Sequence, residues 1–458
     1  MQHQNNHHKP FLIIAFTCII LLLISVVIPQ KFWKNNRLSA VHIFSDLEAR
    51  HIPKISLNNK KTKFGPPLKQ LVKDTIETNK DVAIIIRNDI GIEHPDSLKT
   101  QNGMDAFLTS LNKQYTQKNR KVRIGYFGDS MIEGDLITQT VRAILQNKFG
   151  GDGVGFIPAT SIVAHFRQTV RAYANDNWED VNFNNNKQKL ILGFSGHTFF
   201  AKNNANISIK PGGGTHLSSL YDVSVLYGNG TLDIACNKQY YKLIGNGYFN
   251  VAKLNDDTNL KSLELDVNES KTPLYGFTSE SKTGVILDNL SFRGTSGTEL
   301  TRLNSKMLTQ IDSLRPYDLL VLHYGPNLLY NDSIVNFKYY QKQLEKSIKH
   351  LRKAFPRSSI LIISTADKAF KINGEYRTGD GVENLLEAQL AVAQKHGCAF
   401  FNLYEAMGGY NSMKTWAEKK PILAGSDYTH FNQSGSAKIG RLIGNAILNE
   451  YEQAYPSR

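Results

Sequence analysis

The sequence predicts an α/β protein with a parallel sheet, an inserted β-sandwich or jelly-roll domain, and an N-terminal transmembrane helix. Three observations lead to this prediction. Residues 11–28 form an apolar run without a charge. Further along the chain, strand-like runs alternate with helix-spaced apolar residues, which is typical of a mostly parallel sheet covered on both faces. From about Gly155 to Gly284, helical spacing gives way to short strand-like runs between turn residues, as in an all-β domain.

Composition sets the limits of this prediction. A chain of 458 residues is long enough for two domains with a large core. Its net charge is +14, but the basic residues are spread along the chain without a zinc-ligand spacing or a nucleic-acid motif, so we do not expect nucleic-acid binding. Of the three cysteines, Cys18 lies in the apolar run. Cys236 and Cys398 are expected to be buried free thiols, with a single bridge as the alternative.

Residues 1–37 are interpreted as a signal anchor. The run from Phe11 to Ile28 is just long enough to span a bilayer as a helix. It lacks a small-residue cleavage site, which favours an uncleaved anchor. Lysine and arginine are denser on its C-terminal flank, and this charge pattern alone predicts a cytoplasmic body. The functional interpretation below favours instead a single-pass protein of the inner or plasma membrane, with its catalytic body in the periplasm or outside the cell.

Residues 38–95 are polar and rich in lysine, which is typical of a stalk or linker. Within them, Val82 to Ile86 has the composition of a strand. Residues 96–154 are assigned to the first part of the α/β domain. There, helix spacing at 104–111 precedes a buried-type strand that ends at Gly128, and a second helical pattern follows.

Residues 155–284 are assigned to the inserted β-domain. Gly228-Asn229-Gly230 predicts a hairpin turn between two of its strands. Several aromatic residues are candidates for stacking on sugar rings, although core packing is favoured for most; they are Tyr221, Tyr240, Tyr241, Tyr248 and Phe249. The predicted strands of this domain are Lys189–Phe194, Asn206–Ile209, Val223–Tyr227, Thr231–Ala235 and Leu260–Val267.

Residues 285–458 are assigned to the second part of the α/β domain. Strands are predicted at 319–322, 360–363 and 399–403, and helices at 337–355, 384–395 and 439–447.

Polar residues stand where ligands bind in such a fold, beyond the carboxyl ends of the strands. Ser130 follows the first buried strand, and Asn327 follows the strand at 319–322. Asp427 precedes His430 by three residues, so a single turn can bring the carboxylate to the ring and hold it for acyl-transfer chemistry. Each residue alone also has a structural explanation: a helix cap at Asp129 or Ser130, a turn at Asn327, and a surface histidine at His430.

Together these residues resemble a known superfamily. Gly128-Asp129-Ser130, Gly294, Gly325-x-Asn327 and Asp427-x-x-His430 occur in the order that defines the SGNH, or GDSL-type, hydrolases. The resemblance extends from about residue 121 to residue 450, apart from the insert, and implies a flavodoxin-like three-layer domain.

The resemblance also implies roles. Ser130 would be the nucleophile, His430 the acid and base, and Asp427 the residue that orients His430. The oxyanion hole would consist of the Ser130 and Gly294 N–H groups and the Asn327 side-chain amide. Gly297 is an alternative to Gly294, and Asp129 is expected to be structural. Neither a metal nor an organic cofactor is implied.

The inserted domain suggests the substrate. An SGNH domain interrupted between its nucleophile and glycine blocks resembles the bacterial peptidoglycan O-acetylesterases, as does Ala406-Met407-Gly408-Gly409. Gly325-Pro326-Asn327-Leu328 departs from the Gly-Thr-Asn-Glu form common there. The resemblance implies a serine esterase that removes O-acetyl groups from a cell-envelope glycan, peptidoglycan in particular. The alternatives are an O-acetyltransferase with a glycan acceptor, and a glycan-binding surface protein with an idle hydrolase domain.

Overall fold

The computed structural model describes residues 84–94, 103–254 and 260–456. The predicted membrane anchor and most of the predicted stalk lie outside these ranges. Among the helices in these ranges, none combines the length and apolar character needed to cross a bilayer.

Strands and helices alternate on both sides of a long all-β segment. The helices are α1 (Asp105–Gln117), α2 (Ser130–Glu133), α3 (Thr138–Phe149), α4 (Ser305–Leu314), α5 (Lys338–Ala354), α6 (Val382–His396), α7 (Leu403–Ala406), α8 (Ser412–Glu418) and α9 (Gln433–Ala454). The strands are β1 (Ile92–Glu93), β2 (Lys121–Gly128), β3 (Gly155–Ile157), β4 (Val170–Ala174), β5 (Trp178–Asn182), β6 (His197–Ala201), β7 (Ala205–Pro211), β8 (Ser224–Tyr227), β9 (Gly230–Cys236), β10 (Gln239–Gly245), β11 (Asn250–Lys253), β12 (Leu263–Val267), β13 (Leu274–Ser279), β14 (Gly284–Asn289), β15 (Leu319–His323), β16 (Ser359–Ile363), β17 (Ala369–Ile372), β18 (Glu375–Thr378) and β19 (Ala399–Phe401).

A six-stranded sheet forms the centre of the α/β domain, in the order β1-β19-β16-β15-β2-β14. All neighbouring strands are parallel except β1, which pairs antiparallel with β19. Counted along the chain, the five parallel strands have the order 2-1-3-4-5, which is the flavodoxin-like arrangement. The α/β prediction is confirmed, because strands buried on both faces have the continuous apolar sequences that parallel sheets require.

Helices cover both faces of this sheet. On one face, Leu319 and Val321 of β15 belong to a core shared with α1, α3 and α9. On the other face, Leu320 and Leu322 belong to a core shared with α4, α5 and α6. The alternation along one strand therefore divides the core into two layers.

The all-β segment forms a sandwich. One sheet has the order β10-β9-β12-β7-β4, and the other has the order β11-β8-β13-β6-β5, with β3 paired to β13. Ile207 and Ile234 of the first sheet share a core with Val225 and Phe277 of the second. Insert residues such as Phe183 and Phe194 also belong to the second core of the α/β domain, so the sandwich packs directly against it.

Two predictions within the sandwich are wrong. Lys189–Phe194 is a loop, in which Leu192 and Phe194 are buried without strand pairing. Gly228-Asn229-Gly230 makes no hairpin, because β8 and β9 belong to different sheets and this segment crosses between them. The hairpin turn lies instead between β9 and β10, where Asn237 and Lys238 both have left-handed φ angles of 47° and 70°.

The predicted stalk also needs correction. Residues 84–94 pack on the α/β domain through the Ile92 side chain, which is buried, and through β1. The described part of the strand predicted at Val82–Ile86 is irregular. A two-residue edge strand is too short to show the periodicity by which strands are recognised.

Other side chains bear on earlier expectations. Cys236 and Cys398 are both buried and both free, as expected. Phe249 is buried in the core, whereas Tyr240 is 66% exposed on β10.

Candidate active site

Ser130 lies at the carboxyl end of β2, at the first position of α2. A sharp turn places it there, and a Cβ atom at Gly128 would stand 2.4 Å from Cγ1 of Ile132. Asp129 caps the helix, because its Oδ1 accepts from the Met131 N–H at 2.9 Å. The capping role therefore belongs to Asp129, and the Ser130 hydroxyl is available for another partner.

That partner is His430. Ser130 Oγ lies 3.0 Å from His430 Nε2, and His430 Nδ1 lies 2.6 Å from Asp427 Oδ2. The other carboxylate oxygen of Asp427 accepts from the backbone N–H groups of Thr429 and His430. Tyr428 has a left-handed φ of 52°, which tightens the loop between the two residues. The geometry is that of a nucleophile, a base and an orienting carboxylate.

Electrostatics suit these roles. Burial alone would raise the pKa of Asp427, but hydrogen bonds from the His430 ring and from two backbone N–H groups lower it to about 2. Asp427 is therefore an anion at neutral pH. Its hydrogen bond is the main reason why the pKa of His430 is raised above the ordinary value, while partial burial opposes the rise. The carboxylate thus favours the protonated, imidazolium form of His430.

Two backbone N–H groups of this region are available to a ligand. Among the described residues, the N–H groups of Ser130 and Gly294 have no acceptor. Gly294 is exposed, has a φ of 75°, and would have space for a Cβ atom. Gly297 is buried, with Tyr324 only 2.8 Å from the position of a Cβ atom. Of the two glycines, Gly294 is the one whose backbone is open to a ligand.

The Asn327 side chain connects the segment that contains Gly294 to the turn that contains Ser130. Its Nδ2 donates to the Thr295 carbonyl at 2.9 Å and, at 3.3 Å, to Oδ2 of Asp129. Both amide protons are thus directed at protein acceptors, and the longer contact is the weaker one. Burial raises the pKa of Asp129 to about 6. The oxyanion role of Asn327 stays a prediction, and the structural role expected of Asp129 agrees with its two hydrogen bonds.

Two further residues of this region belong to none of the sequence motifs. Lys368, in the loop after β16, donates from Nζ to the Pro326 carbonyl at 3.1 Å. Tyr376, on β18, stacks on Tyr428 with ring centroids 3.6 Å apart. Single lysine and tyrosine residues at unremarkable spacings give no sequence signal, since only the tertiary fold brings them to Asn327 and His430.

A cleft of about 620 Å³ lies between the insert and the α/β domain. Glu133 and Arg293 line it from the α/β domain. Glu133 lies shortly after Ser130 in the sequence, and Arg293 directly precedes Gly294. Trp178, Asp180 and His197 line it from the insert. Its volume is typical of small-ligand sites. Within the described ranges, no cluster of three potential metal ligands occurs.

Comparison with known proteins identifies the fold. No family model and no curated protein sequence matches this chain. A solved structure of a peptidoglycan O-acetylesterase matches over 79% of this chain and 99% of its own, with a TM-score of 0.67 and 18% identity. Because the α/β segments alone make up about half of the chain, the match extends into the inserted sandwich. The two proteins share a fold.

Other solved structures match less well. An acetyl xylan esterase covers 36% of this chain and 80% of its own, at 18% identity and a TM-score of 0.29. A family two carbohydrate esterase from Cellvibrio japonicus covers 62% and 99%, at 8% identity and a TM-score of 0.26. Scores this low support no inference.

Proposed function

We propose that this protein is a serine esterase that removes O-acetyl groups from a cell-envelope glycan, peptidoglycan in particular. The observation that carries the proposal is the continuous hydrogen-bonded series from Ser130 to His430 to Asp427, with distances of 3.0 Å and 2.6 Å. The fold shared with a peptidoglycan O-acetylesterase supports the choice of substrate.

The first half-reaction forms an acyl-enzyme. Ser130 Oγ attacks the acetyl carbonyl carbon, and its proton passes to His430 Nε2. The N–H groups of Ser130 and Gly294 and the Asn327 amide would hold the resulting oxyanion. When the tetrahedral intermediate collapses, the C–O bond to the sugar breaks, and His430 returns the proton to the leaving sugar oxygen.

The second half-reaction uses water. Water attacks the acetyl group on Ser130 and gives a proton to His430, and the bond to Ser130 Oγ then breaks as that oxygen regains a proton. Acetate is released. The His430 and Asp427 side chains are 47% and 52% exposed, so water reaches the base directly. This openness favours hydrolysis over the alternative, transfer to a glycan acceptor, because a transferase must exclude water. The complete triad disfavours an idle domain.

We further propose an envelope location, with residues 11–28 as a membrane anchor and the body outside the cytoplasm. A C-terminal fusion to a reporter active only outside the cytoplasm should be active, and an inactive fusion would contradict this orientation.

The enzyme test compares wild type with Ser130→Ala on O-acetylated muropeptides. Wild type should release acetate, and Ser130→Ala should lose on the order of 10⁶ in kcat. A fluorophosphonate should label wild type at Ser130. An acetyl-transfer product with a chito-oligosaccharide, without acetate release, would favour the transferase. If wild type and variant are equally inactive on every acetyl ester and Ser130 is not labelled, the proposal fails.

A further inference from the structure

A cation stands at the edge of the site without an assigned role. The Lys368 side chain is half-buried and lies over the Phe370 ring, with Nζ 5.4 Å from the ring centroid. Its Nζ hydrogen-bonds the Pro326 carbonyl at 3.1 Å. Among the described residues no carboxylate lies within 4.0 Å of Nζ, so Lys368 forms no ion pair there.

The hydrogen bond reaches the turn that carries Asn327, the proposed side-chain donor to the oxyanion. Pro326 opens the 3₁₀ turn Pro326–Leu328, and Asn327 is the next residue in that turn. Holding the Pro326 carbonyl fixes the peptide plane from which the Asn327 side chain departs. The turn is thereby tied to the loop that follows β16, on the side facing the Asp427–His430 loop, since the neighbouring Ala369 N–H donates to the Tyr428 carbonyl at 3.2 Å.

The charge reaches the catalytic base as well. Three charged groups act on His430: Asp427, which hydrogen-bonds it, Asp129 and Lys368. The two carboxylates favour the imidazolium, and the ammonium opposes it. Burial lowers the pKa of Lys368, while the charges of Asp427 and Asp129 partly restore it.

We infer that Lys368 is a positioning residue of this esterase site: it holds the turn that carries Asn327 and places a positive charge beside the Ser130–His430 pair. The inference rests on the proposed function. A cation in a half-buried site favours the negative charge that develops on the acetyl oxygen, because the field there is less screened than in water. It also keeps His430 able to accept a proton at lower pH.

The charge of Lys368 affects the pH at which His430 can act as a base. A positive charge disfavours protonated His430, so Lys368 lowers the pKa of His430. Removing the charge raises that pKa, and less neutral base is present at a given pH. The acid limb of kcat/KM should therefore move to higher pH when Lys368 becomes neutral.

The experiment uses the full chain and p-nitrophenyl acetate as the probe. Lys368→Gln keeps a hydrogen-bond donor without charge, Lys368→Met removes both, and Lys368→Arg keeps both. Lys371→Met is the matched control, because Lys371 is an exposed lysine of β17, three residues after Lys368. Since loss of a direct oxyanion donor costs about 10²–10³, we expect about a tenfold loss of kcat/KM in Lys368→Gln and a larger loss in Lys368→Met.

The pH profile of kcat/KM distinguishes an effect of the Lys368 charge from a purely structural role. We expect the acid limb to move to higher pH in Lys368→Gln and Lys368→Met and to stay in place in Lys368→Arg and Lys371→Met. A purely structural lysine would lower the thermal midpoint without moving the limb. The inference is wrong if folded Lys368→Gln keeps the wild-type acid limb and a kcat/KM within about twofold of wild type. Such a change is far smaller than the loss of rate caused by removing an oxyanion donor. Activity that depends on Ser130 but not on Lys368 overturns this inference alone, whereas activity independent of Ser130 overturns the proposed function.

Discussion

The two ends of the central parallel sheet treat buried carboxylates in opposite ways. At the carboxyl end, Asp129 is buried among neutral donors, and burial raises its pKa to about 6. At the amino end, burial alone would raise the pKa of Glu280, but the charges of Arg123, Arg315 and Lys121 hold it well below its usual range. At one end neutral hydrogen-bond donors hold the carboxylate, and at the other end cations hold it.

The amino-end network fastens the insert. Glu280, one residue beyond β13, accepts hydrogen bonds from Lys121, Arg123 and Arg315. Asp288 of β14 accepts from Arg315 at 2.8 Å and from the Phe156 backbone N–H at 2.8 Å. The two chain crossings between the sandwich and the α/β domain are thus tied to the central sheet, one through Glu280 and the other through Asp288, and Arg315 donates to both carboxylates. Removing one partner from buried ion pairs of this kind is strongly destabilising, because the remaining charge is left uncompensated.

The carboxyl end differs because chemistry needs groups that are not fully satisfied. Within the described part of the chain, the Ser130 and Gly294 N–H groups have no acceptor, and the His430 ring is half-exposed. This contrast predicts that substitutions at the carboxyl end lower activity with little effect on stability, and that substitutions at the amino end do the reverse.

After the loss expected for Ser130→Ala, the largest effect should come from Asp427→Asn. An amide cannot hold His430 in the required tautomer, and the corresponding change in a serine protease costs about 10⁴ in kcat. Since Asp427 raises the pKa of His430, its removal should also move the acid limb to lower pH. Hydrolysis of p-nitrophenyl acetate across pH measures both. Asp380→Asn, another exposed aspartate, should match wild type; a loss below tenfold in Asp427→Asn would contradict an orienting role.

Arg315→Met tests the amino end. It leaves two buried carboxylates with fewer cations, and breaking a buried pair of this kind costs about 3–5 kcal/mol. Urea unfolding measures the loss of stability. Arg357→Met is the control, because the Arg357 side chain is 75% exposed and lies 3.5 Å from Asp312, a geometry worth about 0–1 kcal/mol. Two outcomes would contradict the contrast between the two ends. Both variants could lose an equally small amount of stability, or folded Arg315→Met could have a strongly reduced kcat.

Asn327→Ala should follow, with a loss of about 10²–10³ in kcat and a small change in KM. The physical reason is the loss of one donor to the oxyanion, together with the bridge from Thr295 to Asp129. Asn331→Ala, in the same loop region but exposed, should keep wild-type kcat. An unchanged kcat in Asn327→Ala would show that its amide serves only the protein acceptors seen in the structure.

The difference between local and distant signals explains what sequence could predict. Asp427 and His430 are three residues apart, and Ser130 directly follows an apolar strand, so their relation is visible along the chain. The parallel sheet was predictable for the same reason, because each strand shows its burial in its own residues.

Features that depend on pairing across the fold were not predictable. The hairpin assigned to Gly228-Asn229-Gly230 failed because alternation identifies strands without saying which sheet each one joins. Arg315 and Glu280 are far from Arg123 in sequence, and nothing local marks them as partners. Lys368 likewise meets Pro326 only because β15 and β16 are neighbours in the sheet.

The smallest effect on kcat is expected from a substitution that changes the loop between Asp427 and His430 and leaves the reacting groups in place. Tyr428 holds a left-handed φ between Asp427 and His430, a conformation that costs about 1–2 kcal/mol in a residue with a Cβ atom. Its ring stacks on Tyr376 at an interplanar angle of 11°, and its hydroxyl donates to Glu418 at 3.0 Å. Tyr376→Leu removes a ring contact worth about 0.5–1.5 kcal/mol, so kcat should fall by a few-fold up to about tenfold, with KM nearly unchanged. Tyr376→Phe keeps the ring and should keep wild-type kcat. If the leucine and phenylalanine variants have equal kcat, the stack does not hold the loop, and the hydrogen bond to Glu418 together with the Ala369 N–H must do so.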